Sequence, residues 1–558
     1  MKISGAEAVF KSLIEEKVRV IFGYPGGGNM PIYDALYDYM NQIRHILVRH
    51  EQGAIHAAEG YARVSGKPGV CFATSGPGAT NLVTGIADAM MDSIPVVCVT
   101  GQVASQFLGT DAFQEADIIG ITTPITKWNY QITKASEIPE VFAKAFYVAV
   151  NGRPGPVLID ITKNAQFEMI DFSYPKKFII KKLSPDFLKV NNEQIIKIAE
   201  IINRAKKPFF IIGHGVSISK AEKELMKVAK VVQGPVATTL LGLGAFPADN
   251  NLYVGMLGMH GHFSPNLLTN KADVIVAIGM RFDDRVTSNI SKYAPRATII
   301  HIDIDASEIN KNIQSYLGIN ADAKKVLQKL LHYLKKNNHL SWLNQFKKYN
   351  SFAENKISQK NGDKIKMNEV VSLLSKITKG EAIIVADVGQ NQMFSARYYQ
   401  YKHPNSYVTS GGLGTMGFAL PASIGAKIAS PKKPVIAIIG DGGFQMTIQE
   451  LGTIMQEKLP VKIIVLNNGY LGMVRQWQEM FFKRRYSFTY LDNPDFVAIT
   501  NAYKIKASRV FQKDHLENKL VELLNFDGPI LLEVEVEKEE NVFPMVPVGA
   551  GVHEVRLK

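Results

Sequence analysis

Cysteine is almost absent. Two occur in 558 residues, Cys71 and Cys98, both inside apolar runs (GVCFAT and PVVCVT). That excludes a disulfide framework and predicts buried, reduced thiols in a cytoplasmic protein. No run approaches the ~18 apolar residues of a membrane span, and the opening MKISGAEAVFKSLIEEKV lacks the apolar core of a secretion signal. Neither a membrane partner nor a targeting segment is therefore expected. Acidic residues are in deficit, 51 against 64 basic, which leaves a net charge of +13. A nucleic-acid partner would require that excess to be gathered on one face. Much of it lies in KKFIIKKLSPDFLK and HYLKKNNHLSWLNQFKKYN, which read as linkers or solvated helix faces, so no nucleic-acid partner is expected. The 44 glycines follow no fixed period and cluster in short turns, which excludes collagen-like and linker architectures.

What is present is an ordinary globular composition, 46% apolar and 21% charged, on a chain long enough for three or four domains. Ser4 and Glu7 form a capping box ahead of an amphipathic helix carrying Val9, Phe10 and Leu13. Strand-like apolar runs alternate with helical patterns in three stretches, which predicts α/β domains with parallel sheets flanked by helices. They cover residues 1–165, 190–330 and 365–540, and 541–558 read as a C-terminal tail. Connectors rich in Lys, Asn, Ser and Pro fall near 166–190 and 332–364, without sustained apolar periodicity. The first and third stretches share a plan of strand, glycine turn and helix.

The most informative segment is PVIAIIGDGGFQMTIQELGTIMQEKLPVKIIVLNNGYLGM. Val435–Ile439 reads as a buried strand, Thr447–Glu457 as a helix and Val461–Leu466 as the next strand. A right-handed crossover makes the strands parallel, so Gly440-Asp441-Gly442-Gly443 and Asn467-Asn468 emerge at one sheet edge. Open α/β sheets bind ligands at that carboxyl edge. Glycines admit a phosphate close to the backbone, and Asp441 with the Asn468 side-chain oxygen offers hard donors suited to Mg²⁺. Polar turns alone would explain either motif singly; both at the ends of consecutive strands point to a diphosphate.

These residues resemble the diphosphate-binding motif of thiamine diphosphate enzymes. The resemblance requires a glutamate in a separate pyrimidine-binding domain, and Glu51 in LVRHEQGAIHAAEGYAR is its candidate. In that family a glutamate beside N1′ of the cofactor promotes the imino tautomer that removes the thiazolium proton. Enclosure against an apolar ring would raise such a carboxyl from its free value of about 4.3, so that its proton is shared.

FGYPGG, TSGPGATN, DAFQEAD, GRPGPVLIDI, MLGMHG, RFDDRV, HIDID, SGGLGTMGFALPA, NNGYLGMVRQWQ and NPDF extend the likeness over nearly the whole chain. They are similar to the catalytic subunit of acetolactate synthase (acetohydroxyacid synthase). The resemblance implies that Gly27, Glu51, Phe113, Gln114 and Lys163 are offered to the active site by one subunit. It makes Asp441, Asn468 and the Tyr470 carbonyl metal ligands, and Gly389, Gln390 and Met416 contacts of the cofactor. Met473 and Trp477 fall in its acceptor pocket, and Arg285 matches the arginine that holds the second oxoacid. The middle domain is implied to be a Rossmann-like unit binding a structural FAD, through Arg153, Gly213, Gly215, Met259, His260, Gly261, Arg281, Asp283, Asp303, Asp322 and Ala323.

The implied reaction is decarboxylation of pyruvate and transfer of a hydroxyethyl carbanion to pyruvate or 2-oxobutyrate, in branched-chain amino-acid biosynthesis. A homodimer or dimer of dimers with a small regulatory subunit is the implied assembly. Three positions depart from the family pattern: Asn391 stands where it has His, Asn164 where it has Asp, and Ala104 where a loop has Pro. Asparagine at 391 keeps a hydrogen-bond donor for phosphate but does not titrate. Two rival readings remain, a pyruvate-oxidase-type flavin enzyme and a catalytically retired paralogue.

Overall fold

The computed structural model describes residues 2–175, 190–357 and 362–558. The connector expected at 166–190 lies mostly outside them, as does the lysine-rich run within it. Strands are β1 (Lys2–Ser4), β2 (Val20–Gly23), β3 (Arg44–Leu47), β4 (Gly69–Ala73), β5 (Val96–Gln102), β6 (Trp128–Ile132), β7 (Val157–Thr162) and β8 (Met169–Asp171) in the first region. The middle region holds β9 (Pro208–Ile212), β10 (Val236–Thr238), β11 (Tyr253–Met256), β12 (Val274–Ile278), β13 (Thr298–Asp303) and β14 (Leu317–Asn320). The third holds β15 (Ile383–Ala386), β16 (Tyr407–Val408), β17 (Val435–Gly440), β18 (Lys462–Asn467), β19 (Lys506–Val510) and β20 (Ile530–Glu535).

They build three six-stranded sheets, all parallel, and β1 with β8 forms a short antiparallel pair. The first sheet runs β3-β2-β4-β5-β7-β6 and the third β16-β15-β17-β18-β20-β19. Counted within each sheet, the two orders are the same. The middle sheet runs β11-β10-β9-β12-β13-β14, so its strand order reverses between β9 and β12. Crevices at such a reversal are where doubly wound sheets take dinucleotides. Each sheet's central strands are buried on both faces, which is why they read as unbroken Val/Ile/Leu runs.

Ser4 caps the first helix, Gly5–Glu15, with Glu7 reciprocating, and Val9, Phe10 and Leu13 are buried beneath it. Cys71 and Cys98 are free, buried and adjacent on β4 and β5, with their sulfurs 3.4 Å apart. The first and third regions share one apolar core through the helices Glu51–Ser65 and Ala419–Ala429. Their backbones meet at glycines: a Cβ on Gly60 would stand 2.0 Å from the Ala422 oxygen, and one on Gly425 1.8 Å from that of Ala57. Alanine-rich flanks bring two helices this close, and larger side chains would force them apart.

Two expectations are corrected. Within 332–364 the chain forms a helix, Leu340–Ile357, whose Trp342, Leu343 and Phe346 join the middle core. Its buried positions are few and set among Lys and Asn, so little apolar period is visible. Residues 542–552 are likewise packed: Val542, Met545, Val546 and Val552 are buried, and the Val546 N–H donates to Met259 O at 2.8 Å.

Candidate active site

The three sheets deliver their chemistry at carboxyl ends. In the third, β17 ends at Gly440 and a helix begins at once, Asp441–Met446, rather than at Thr447 as expected. The chain then passes through a 3₁₀ turn, Ile448–Glu450, into a helix Leu451–Gln456. Two glycines argue against a helix by propensity, but any side chain at Gly443 would meet Asp387 Oδ1 at 2.5 Å. Asp441 is 2% exposed. Its carboxylate accepts from Asn493 Nδ2 (2.7 Å), Gly469 N (2.9 Å) and Gly442 N (3.1 Å), all neutral donors. Burial outweighs those bonds and pushes its pKa up to about 6. A buried carboxylate met only by neutral donors is a costly arrangement that a divalent ion would relieve.

Asn468, at the end of β18, is also buried; its Oδ1 accepts from Tyr470 N at 3.1 Å and its Nδ2 donates to Gln390 Oε1 at 3.3 Å. Asp441, Asn468 and Gln390 are thus brought together. The oxygen-only donor set fits a hard cation such as Mg²⁺. Gly389 precedes the helix Gln390–Tyr398 with φ of 140°, a conformation glycine adopts freely. Asn391 differs from expectation. Its Nδ2 donates to Asp387 O (2.7 Å) and Ile438 O (3.2 Å), so both of its amide hydrogens are taken by the backbone.

The first sheet gathers a second group. Glu51 is the first residue of its helix and is half-buried, and its Oε2 accepts from Asn81 Nδ2 at 3.0 Å. The turn Ser75–Gly78 lies between it and Gln114. A Cβ on Gly78 would be 3.3 Å from Glu51 Oε1, and one on Gly76 2.8 Å from Gln114 O. Gln114 has a left-handed backbone, φ 60°, and Phe113 is 89% exposed. Gly27 has open space where a side chain would be. Lys163 is exposed at the start of the helix Lys163–Phe167, and the neighbouring Asn164 is tied to Ser105 N, Thr133 O and Glu168.

Between the middle and third sheets lies a cavity of about 750 Å³. Among the expected residues it is lined by Arg153, Gly213, Gly215, Met259, His260, Gly261, Arg281, Asp283, Arg285, Asp303, Asp322, Ala323, Gly389, Met416, Met473 and Trp477. Neither Glu51 and its group nor Asp441 and Asn468 line it. At the strand reversal, Gly213 and Gly215 follow β9 and touch Gly279 after β12, where a Cβ on Gly213 would be 2.1 Å from Gly279 O. Asp303 closes β13, and burial pushes its carboxyl to about 6. His260 is buried with Nδ1 unpartnered, and burial drops it to about 3. Arg153 reaches across to Glu308 (2.8 Å) and Asp305 (3.3 Å). Arg285 is more than half exposed beside Asp284 at 3.3 Å.

The sequence reading missed several side chains that set this geometry. Asn493 holds both Asp441 and Asn467. Asp387 accepts from Gly417 N and Ala419 N, fixing the turn after Met416. Glu450, fully buried, accepts from the N–H groups of Arg49 and His50 and so fixes the entry to the Glu51 helix. Asp92 accepts from Gly411 N and Gly412 N and pairs with Arg63, while Asp88 accepts from Ser410 Oγ at 2.6 Å, pinning the 410–414 wall. Asn493 and Asn81 lie in the quoted runs NPDF and TSGPGATN; nothing in the sequence marks Glu450.

Comparison with known proteins adds an independent observation. Three family models match: "Thiamine pyrophosphate enzyme, N-terminal TPP binding domain" over residues 3–121, its central domain over 195–330, and its C-terminal TPP binding domain over 387–534. The chain is 45% identical to the acetolactate synthase large subunit of Buchnera aphidicola subsp. Schizaphis graminum, covering 100% of this chain and 99% of that one. It is 44% identical to the acetolactate synthase isozyme 2 large subunit of Escherichia coli K12, covering 100% of both. The probable acetolactate synthase large subunit of Methanocaldococcus jannaschii is 46% identical over 98% of this chain and 94% of its own length.

Proposed function

The chain belongs to the thiamine pyrophosphate enzymes and, within them, to the acetolactate synthase large subunits, and from that premise we propose how its residues divide the work. It is a thiamine-diphosphate-dependent acetolactate synthase of branched-chain amino-acid biosynthesis, acting on pyruvate and partnered by a small subunit. When bound, thiamine diphosphate supplies the carbon nucleophile and the electron sink.

Asp441, Asn468 and the Tyr470 carbonyl would hold Mg²⁺ and with it the diphosphate; the buried carboxylate of Asp441, met by neutral donors alone, is the observation that carries this reading. Gly440, Gly442 and Gly443 would meet the diphosphate through their backbone. Glu51, oriented by Asn81, holds and returns one proton at its carboxylate. Glu51 is tied to Asn81 and Asp441 to Asn493, Gly469 and Gly442, with no shared partner, and the site is taken to be completed between two copies, with Gly27, Phe113, Gln114 and Lys163 of one facing the metal edge of the other. Exposed Phe113 (89%) and Phe488 (100%) on the two regions are apolar surface that such pairing would cover.

The reversal at Gly213 and Gly279 and the unpartnered His260 nitrogen fit a dinucleotide, and FAD is assigned to the 750 Å³ cavity. Arg285 grips the carboxylate of the second oxoacid, for which a guanidinium fork is suited, while Met473 and Trp477 receive the rest. Pyruvate and 2-oxobutyrate compete for that place. Purified protein given both substrates anaerobically should form 2-acetolactate and 2-aceto-2-hydroxybutyrate, dependent on added thiamine diphosphate and Mg²⁺. Acetate formation coupled to an electron acceptor would instead identify a pyruvate-oxidase chemistry.

A further inference from the structure

A second cavity, of about 710 Å³, lies at the seam between the middle and third regions. Its basic residues come from three elements. Lys376 and Lys379 stand at the end of the helix Met367–Thr378, Arg397 lies in the last turn of Gln390–Tyr398, and Lys402 comes shortly after it. Against them Glu354 is the one carboxylate on the wall among the described residues. Lys402 faces Asp249 at 3.3 Å, whereas among the described residues Lys376 and Lys379 form no ion pair. Arg397 donates to Phe543 O and stacks over Tyr398 at 5.2 Å, and its buried Nε has no partner.

His262, also on the wall, accepts from Met256 N through Nδ1 at 3.0 Å. Its ring proton is thereby assigned to Nε2, which makes that atom a donor. The walls include Tyr253, Tyr398, Tyr399 and Tyr401. Three of their hydroxyls are occupied internally, by Thr238, Thr378 and Ser395 O, so these residues offer ring surface. Excess positive charge, an unpartnered guanidinium nitrogen and aromatic walls define one class of occupant.

We propose that this cavity binds a small organic anion, a carboxylate or phosphate on a flat apolar body, with Arg397, Lys376 and Lys379 facing the charge. The site is separate from the 750 Å³ cavity but is built on some of the same elements. The helix that carries Arg397 also places Met393 in the other cavity, and the segment carrying His262 places Met259 and His260 there.

Titration calorimetry on the full chain tests this with phenyl phosphate, benzoate, inorganic phosphate and, as a neutral control, phenol. Phenyl phosphate and benzoate should saturate one site, with or without bound thiamine diphosphate, and the tighter of the two identifies the head group. Phenol should not bind, and inorganic phosphate should bind more weakly than phenyl phosphate. The exposed double variant K376E/K379E should bind roughly tenfold more weakly, on the order of 1.4 kcal/mol, with unchanged melting temperature and acetolactate formation. Arg397→Lys, a second variant keeping the charge but not the fork, should also weaken binding. The proposal fails if no anion saturates, if K376E/K379E binds as the parent does, or if thiamine diphosphate displaces the anion.

Discussion

At the carboxyl edge of the first sheet, Glu51 is half-buried and its carboxylate is met by one asparagine. At the same edge of the third sheet, Asp441 is buried and met by three donors. The strand orders are the same, so the difference does not come from topology. It comes from the loops beyond the strand ends. The third sheet sends Gly469 and Asn493 back over its acid, and the first leaves its acid facing outward. On the proposed division of work, one edge would hold a charge in place and the other would move a proton, two roles that need different access to water.

The comparison breaks first at Glu51. Glu51→Gln should lower acetolactate formation by a factor on the order of 10²–10⁴ while leaving the melting temperature near the parent's; an active E51Q would remove the proton-moving role.

Buried acids elsewhere in the first sheet sharpen it next. Asp160, on β7, accepts from Thr100, Gln102 and Gln131, yet burial raises its pKa from 3.8 to about 6. A raised carboxyl favours the folded state when neutral. Its contribution is full below about pH 4 and is lost as the pH rises through 6, on the order of 3 kcal/mol. Asp160→Asn cannot titrate, so its melting temperature should vary less between pH 4 and 6 than the parent's.

On the third sheet, Asn493→Ala removes a donor from Asp441. It should raise the Mg²⁺ concentration for half-maximal activity by roughly 10–100-fold, with little change at saturating metal. An effect on stability alone is expected at the helix pair that joins the two sheets. Gly60→Ala presses a methyl on Ala422 O and should cost about 1–3 kcal/mol, read as a lower denaturation midpoint with Glu51 chemistry retained.

Much of this architecture is legible in the chain. The Ser4–Glu7 capping box, the parallel strands and the twin plan follow from periodicity and caps, because those signals are local. Gly440-Asp441 and Asn467-Asn468 can be placed at one edge since a crossover leaves no other parallel arrangement. The helix Leu340–Ile357 is hidden, since its buried Trp342, Leu343 and Phe346 are diluted by Lys and Asn. Asn391 bonds otherwise than its position in the motif suggests, because its partners, Asp387 O and Ile438 O, are backbone atoms that no side-chain pattern announces. Glu450 acts on residues four hundred positions earlier, a distance over which sequence carries no spacing signal.

The packed segment after β20 has a bearing on how the molecule is made. Val546 N binds Met259 O, and Gly551 bridges to Ser288, so residues late in the chain brace the middle-region loops that carry Met259 and Ser288. During synthesis the middle sheet can form early, but those loops stay unbraced until 546–551 have left the ribosome. The nascent protein therefore cannot finish bracing its middle region before the third sheet has been translated.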